Sequence, residues 1–192
     1  MNKQTGNIFI VSGPSGVGKD SIVNAVLKKH SNFSRLITCT SRQPRDGEKS
    51  KRTYKFLSEE DFLEKIKFKQ FAEWQIVHNN YYGALKEDVD LAFSQNKNLI
   101  FDIDVKGALT YKKIYPQCVL IFIKYESLEL LKQRLQKRDR DISDEEITQR
   151  LQTAQSEMLF ESDFNYSVVN PEGHLEKAVE EVEKIIKKEI KK

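Results

Sequence analysis

The apolar positions of this chain follow two periods that alternate along its length. Short, nearly continuous runs at Ile8–Val11, Leu99–Ile103, Val119–Ile123 and Tyr166–Asn170 have the length and β-branched content of buried strands. Between them apolar residues recur at helical spacing: Ile22, Val23, Val26 and Leu27, then Leu128, Leu130, Leu131 and Leu135, and finally Leu175, Val179, Val182 and Ile185. Arg35–Thr40, where Leu36 and Ile37 are interleaved with Thr38 and Thr40, reads as a further strand. About five core strands alternating with helices imply a single α/β domain, an open parallel sheet flanked by helices.

Two stretches break that rhythm. Between about 35 and 84, Tyr54–Leu57 and Phe71–Val77 alternate as strands, and Ser58-Glu59-Glu60-Asp61 resembles a capping box opening a helix with Phe62, Leu63 and Ile66 inward. An antiparallel, mixed α/β insertion with an aromatic core is expected there. From about 138 to 160, Arg138, Asp139, Arg140, Asp141, Asp144, Glu145, Glu146 and Arg150 form a charged, weakly apolar stretch, the composition of a lid. The core then comprises about 1–34, 85–137 and 161–192.

The 192 residues suffice for one substantial core with a small lobe. A formal charge of +3, with no basic stripe, gives no ground for a nucleic-acid partner. The first apolar run is shorter than a secretory h-region, and no stretch approaches membrane-spanning length. Cys39 and Cys118 lie on apolar runs without metal-ligand spacing, which suits buried thiols in a reducing compartment. His30, His78 and His174 are scattered and read as surface or satisfied residues. The expectation is a cytoplasmic protein, monomeric or a weak homodimer, without membrane or nucleic-acid partners.

The chemistry centres on Gly13-Pro14-Ser15-Gly16-Val17-Gly18-Lys19, set between a strand run and a helix run. Backbone N–H groups of such a loop, with the positive end of the following helix, cradle phosphate oxygens, and Lys19 would reach the outer phosphates. Asp20 stands where a Ser or Thr usually follows the lysine to hold Mg²⁺, with Ser21 one place later. Its carboxylate has three open roles: ligating the metal, favouring the helix N-terminus, or repelling a phosphate. Asp102 suits a strand end that orients a metal or its waters, whereas Asp104 suits the N-cap of a helix over Val105–Ile114. Arg42 and Arg45 flank Pro44 in a loop that fits phosphate recognition and a solvated basic turn equally well.

These residues together resemble the guanylate kinase family over nearly the whole chain. The resemblance rests on the glycine loop with Lys19, on Thr40-Ser41-Arg42-Gln43-Pro44-Arg45-Asp46-Gly47-Glu48 with Tyr54 and Phe56, on Glu73 with Tyr81-Tyr82-Gly83, on Asp102-Ile103-Asp104 with Gly107, and on Arg134-Leu135 with Arg138. It implies a P-loop fold with an acceptor-binding lobe at about 35–84 and an arginine-bearing lid. It implies an acceptor GMP whose phosphate is held by Arg42, Arg45, Tyr54 and Tyr82 and whose guanine is read by Thr38, Glu73 and Asp104. ATP phosphates would lie on the loop from Gly13 to Ser21 with Arg134, Arg138 and Arg150, Asn170 would neighbour the adenine, and Asp102 would face Mg²⁺ through water. The implied reaction is in-line phosphoryl transfer from ATP to GMP or dGMP, with Lys19, Arg42, Arg138 and Arg150 as the catalytic cations.

The chain departs from the family pattern in places. Asp20 is shared with a related kinase group acting on ribose 1,5-bisphosphate, which makes that acceptor the runner-up. Ala84 replaces a Ser or Thr that helps to read guanine, removing one hydrogen bond worth about 1 kcal/mol. Lys51 and Asp139 each replace a familiar glycine, and the lid seen in the sequence is one residue longer. Non-catalytic binding modules of this fold form a third reading, to which the intact Gly13, Gly16, Gly18 and Lys19 are opposed.

Overall fold

The apolar runs around Ile8–Val11, Leu99–Phe101 and Val119–Ile123 bury both faces because each divides its side chains between two cores. The run at Tyr166–Val169 instead lies at the sheet edge and buries Val168 while leaving Ser167 and Val169 exposed. The computed structural model describes residues 6–44, 54–77, 79–139 and 142–191. Its central sheet contains β1 (Ile8–Ser12), β2 (Phe33–Arg35), β7 (Asn98–Asp102), β8 (Val119–Lys124) and β9 (Tyr166–Val169), in the order β2-β7-β1-β8-β9 and all parallel. Phe9, Val11, Ile100, Ile121 and Ile123 point into one core, closed by α1 (Lys19–Lys29), α5 (Leu128–Arg138), α6 (Asp144–Met158) and α7 (Leu175–Ile190). Ile8, Ile10, Leu99, Phe101 and Leu120 point into the other, under α3 (Lys86–Ser94) and α4 (Val105–Ile114). Each fully buried Ile or Phe contributes about 1.5–3 kcal/mol, so a double-faced strand is a strong anchor for whatever follows it. The glycine loop follows the middle strand, β1.

The second sheet holds β3 (Thr38–Thr40), β4 (Tyr54–Phe56), β5 (Phe71–Val77) and β6 (Asn80–Leu85), in the order β4-β3-β6-β5. It is mixed rather than antiparallel: β3 pairs with β4 in parallel and with β6 antiparallel. Between β3 and β4 the chain is long enough to return to the starting end, which a parallel neighbour requires. The expected single strand over Arg35–Thr40 is in fact two, in different sheets, because the chain passes from one sheet to the other at Leu36-Ile37 and buries Leu36 beneath the crossing. A register shift between Phe71 and Glu73 turns both Ala72 and Glu73 toward the central domain, and Phe71 packs away from it.

Helix α2 (Glu59–Lys67) starts where the capping pattern places it, with Ser58 Oγ accepting from the Asp61 N–H. Phe62 is buried, stacked on Phe71 at 4.3 Å and on Tyr81 at 5.3 Å, but Leu63 is 44% exposed because one short helix face suffices to cover so small a sheet. In α7 it is Ile186 that is fully inside, with Ile185 at its edge. Among the described residues no helix is long and apolar enough to cross a membrane, and Cys39 and Cys118 are buried and free.

Candidate active site

A cleft of about 770 Å³ opens between the two sheets, lined on one side by the glycine loop and α1 and on the other by Thr38, Tyr54 and Tyr82. The loop holds its shape through left-handed glycines, Gly13 at φ 134°, Gly16 at 88° and Gly18 at 93°. A Cβ on Gly13 would also collide with the Ile123 carbonyl. Gly13→Ala is therefore expected to destabilise the protein by about 2–5 kcal/mol, read as a fall of roughly 10 °C in melting temperature.

Lys19 opens α1 and folds back over the loop, its Nζ donating to the Gly13 carbonyl at 2.6 Å and the Pro14 carbonyl at 2.9 Å. Burial lowers its pKa, opposed first by the carboxylate of Asp102. Asp102 ends β7 and is bonded to the Arg35 guanidinium, which also donates to Asp20 Oδ1 at 2.7 Å. Burial pushes Asp102 above the usual carboxylate range, and Arg35 and Lys19 pull it partway back. Asp20, in the first turn of α1, is thus turned toward an arginine.

Strand pairing alone brings the residues expected to hold the acceptor to one face. Tyr54 pairs with Thr38, Thr40 with Tyr82 and Tyr82 with Gln75, and alternation adds Glu73 to the same side. The rings of Tyr54 and Tyr82 meet edge-on at 6.0 Å, and the Arg42 guanidinium lies 5.8 Å from the Tyr54 ring centre. Arg45 lies outside the described residues, as does His78. Asp104 caps α4, its Oδ1 accepting from the Gly107 N–H at 3.0 Å, and also accepts from Gln75 Nε2 at 2.9 and 2.7 Å. The missing side chain at Gly107 leaves room for this bridge, since a Cβ there would lie 2.5 Å from Gln75 Nε2.

Glu73 is 3% exposed, and neither carboxylate oxygen has a hydrogen-bond partner. Burial first, then the charge of Asp104, pushes its pKa up to about 8; the dipole of the nearby Ala84 amide, which does not reach hydrogen-bond geometry, acts in the other direction. Across β6 the residue facing it is Ala84, which supplies no hydroxyl.

Of the expected donor-side arginines, Arg134 and Arg138 line the cleft and Arg150 does not. Arg134 donates to Glu172 Oε2 at 2.5 Å, to the Asn170 carbonyl at 3.0 Å and to the Val17 carbonyl at 3.4 Å, while Asn170 Nδ2 donates to Val17 at 2.7 Å. Both wall a smaller pocket of about 370 Å³ behind the loop, with Pro171 and Glu172. Arg150, on α6, faces Asp139 at 3.6 Å and is not among the residues lining the cleft, whereas Arg138 is. Arg35, Lys137 and Glu157 line the cleft without having been expected. No local motif marks any of them, although Glu157 is held above its ordinary pKa by burial beside the loop.

A guanylate kinase family model matches residues 5–189. The chain is 38% identical over 184 residues to a guanylate kinase of Thermotoga maritima, covering 96% of this chain and 87% of that one. It is 41% identical over 181 residues to a guanylate kinase of Helicobacter pylori, covering 94% and 86%. The crystal structure of guanylate kinase from Anaplasma phagocytophilum superimposes with a TM-score of 0.80 at 26% identity, covering 100% of this chain and 90% of that one.

Proposed function

This chain belongs to the guanylate kinase family, and we propose that its cleft seats the two nucleotides of that reaction, donor phosphates on the glycine loop and acceptor on the second sheet. It is an ATP-dependent kinase that phosphorylates GMP to GDP, and in our reading dGMP is the second acceptor. The observation that carries our reading of the acceptor site is Glu73. A buried carboxyl without a partner needs a ligand offering paired donors, and the N1–H and N2–H₂ edge of guanine offers them where adenine does not.

In this reading Thr38, Glu73 and Asp104 read the base, and Arg42, Arg45, Tyr54 and Tyr82 hold its phosphate. The donor lies on Gly13–Ser21, with Arg134 and Asn170 toward its adenosine end and Arg138 and Arg150 brought in by the lid. A GMP phosphate oxygen attacks the γ-phosphorus in line; its new bond forms as the bond to the β–γ bridging oxygen breaks, and ADP leaves with that electron pair. No protein nucleophile takes part. Positioning and charge neutralisation by Lys19 and the loop amides lower the barrier, and closure of lobe and lid excludes competing water.

Among the described residues no group of three or more His, Cys, Asp or Glu can hold a metal ion by itself. Two hard oxygen donors, Asp102 and Asp20, suit Mg²⁺ delivered on nucleotide phosphates with most of its waters kept. Asp102 would hold it through water, Asp20 alongside, and the ion would neutralise charge on the outer phosphates. The enzyme works in the cytoplasm as a monomer or weak homodimer, where its buried thiols stay reduced; burial holds both near pKa 11.

ADP release measured with GMP, dGMP, AMP, UMP and ribose 1,5-bisphosphate side by side tests the assignment. GMP and dGMP are expected to exceed the others by at least about a hundredfold in kcat/KM. Preference for ribose 1,5-bisphosphate, or nucleotide binding without turnover, would overturn it.

A further inference from the structure

Arg35, at the end of β2, carries its guanidinium into the cleft with only 16% of the side chain exposed. Its Nη2 donates both to Asp20 Oδ1 at 2.7 Å and to Asp102 Oδ1. Its Nη1 donates to Asn24 Oδ1 at 2.8 Å, and Asn24 Nδ2 closes the ring on Asp20 Oδ2 at 3.0 Å. Four side chains from α1, β2 and β7 thus fix one cation between two carboxylates, at the corner where the glycine loop meets the strand end. Asp20 is 52% exposed, so solvent alone would satisfy it; Asp102, at 15%, depends on the partner it has. An uncompensated Asp20 carboxylate would repel a polyphosphate on the neighbouring loop.

We propose that Arg35 is a positioning residue for phosphoryl transfer, a tethered cation that neutralises Asp20 and holds Asp102 in place until a divalent cation arrives with the nucleotide. The inference rests on the donor site described above. Guanidinium and metal compete for the same Asp102 carboxylate. The nucleotide-free protein therefore turns free divalent cations away and accepts them on the nucleotide, whose phosphates supply the missing ligands. Asp20, in turn, keeps Arg35 within reach of Asp102 through the Asn24 ring.

The test titrates the nucleotide-free chain with Mn²⁺ alone and follows free Mn²⁺ by electron paramagnetic resonance, a readout independent of turnover. Arg35→Met is expected to bind Mn²⁺ at least about tenfold more tightly than the wild type, and adding Asp102→Asn should remove the gain. In steady-state assays Arg35→Met should raise KM for ATP several-fold, and adding Asp20→Ser should restore it, a rescue that a merely structural role would not give. Unchanged Mn²⁺ affinity in an Arg35→Met chain that still melts cooperatively would overturn the proposal. Should that variant not fold, Arg35→Lys, which keeps the charge but lacks the fork to span both carboxylates, should fall midway; wild-type affinity there would overturn it equally. A Mn²⁺ gain in a chain whose wild type fails to phosphorylate GMP would sustain Arg35's role and count against the acceptor assignment instead.

Discussion

Lys19→Ala is expected to lower kcat by at least about a hundredfold to a thousandfold while leaving the melting temperature within a few degrees of wild type. The ammonium group is the cation built into the glycine loop itself, and it donates to two loop carbonyls, Gly13 and Pro14. Charge that develops on the transferring phosphoryl group would lose that partner in the transition state, about 3–4 kcal/mol by the cost of removing one preorganised donor. Stability should change little, because burying the ammonium already disfavours its charged form. Loop shape rests on the glycines and on the Asn170 bond to Val17, which the substitution leaves alone. Single-turnover phosphoryl transfer at saturating ATP and GMP checks this; a rate within about threefold of wild type would remove the loop from the mechanism.

Glu73→Gln is expected to cut kcat/KM for GMP by roughly a hundredfold or more while making the empty protein more stable at alkaline pH. The folded carboxyl, at about 8, keeps its proton where the unfolded chain, at its ordinary 4.5, has already lost it. Between those values the folded state binds more protons, so stability falls as pH rises through the window and the full penalty is present above about 8. Glutamine carries no such penalty, so its advantage should grow from pH 5 to pH 8 and level off beyond. Fully expressed, the difference approaches about 5 kcal/mol as an upper bound, readable in denaturant titrations at pH 6 and pH 9. Guanine binding has the opposite dependence, because its paired donors need the carboxylate. KM for GMP in the wild type should fall as pH rises toward 8, and the glutamine variant should lack this fall, while the phosphate titration near pH 6 is common to both. Parallel pH profiles in the two proteins would mean that Glu73 does not read the base.

Once the resemblance was drawn, Thr38, Tyr54, Glu73 and Tyr82 were legible as a group, and they do share one sheet face. The pH sensitivity of Glu73 was not legible. A glutamate on an alternating strand reads as solvent-facing until burial and the neighbouring Asp104 are known. Arg134 was legible as a residue near the loop but not in its orientation, which depends on Glu172 and Asn170 from a distant loop.

What the sequence determined by itself was local: the apolar periods that make five parallel strands and their helices, the Ser58 and Asp104 caps, and a loop whose glycines tolerate the left-handed backbone it adopts. Tertiary structure decided what depends on groups far apart in the chain. It split Arg35–Thr40 between two sheets, because each half found a different partner strand, and it set β4 parallel to β3. It also delivered Arg35 to Asp20 and Asp102, 15 and 67 residues away, a bond that no local pattern encodes because its strength comes from burial and charge at a single point in space.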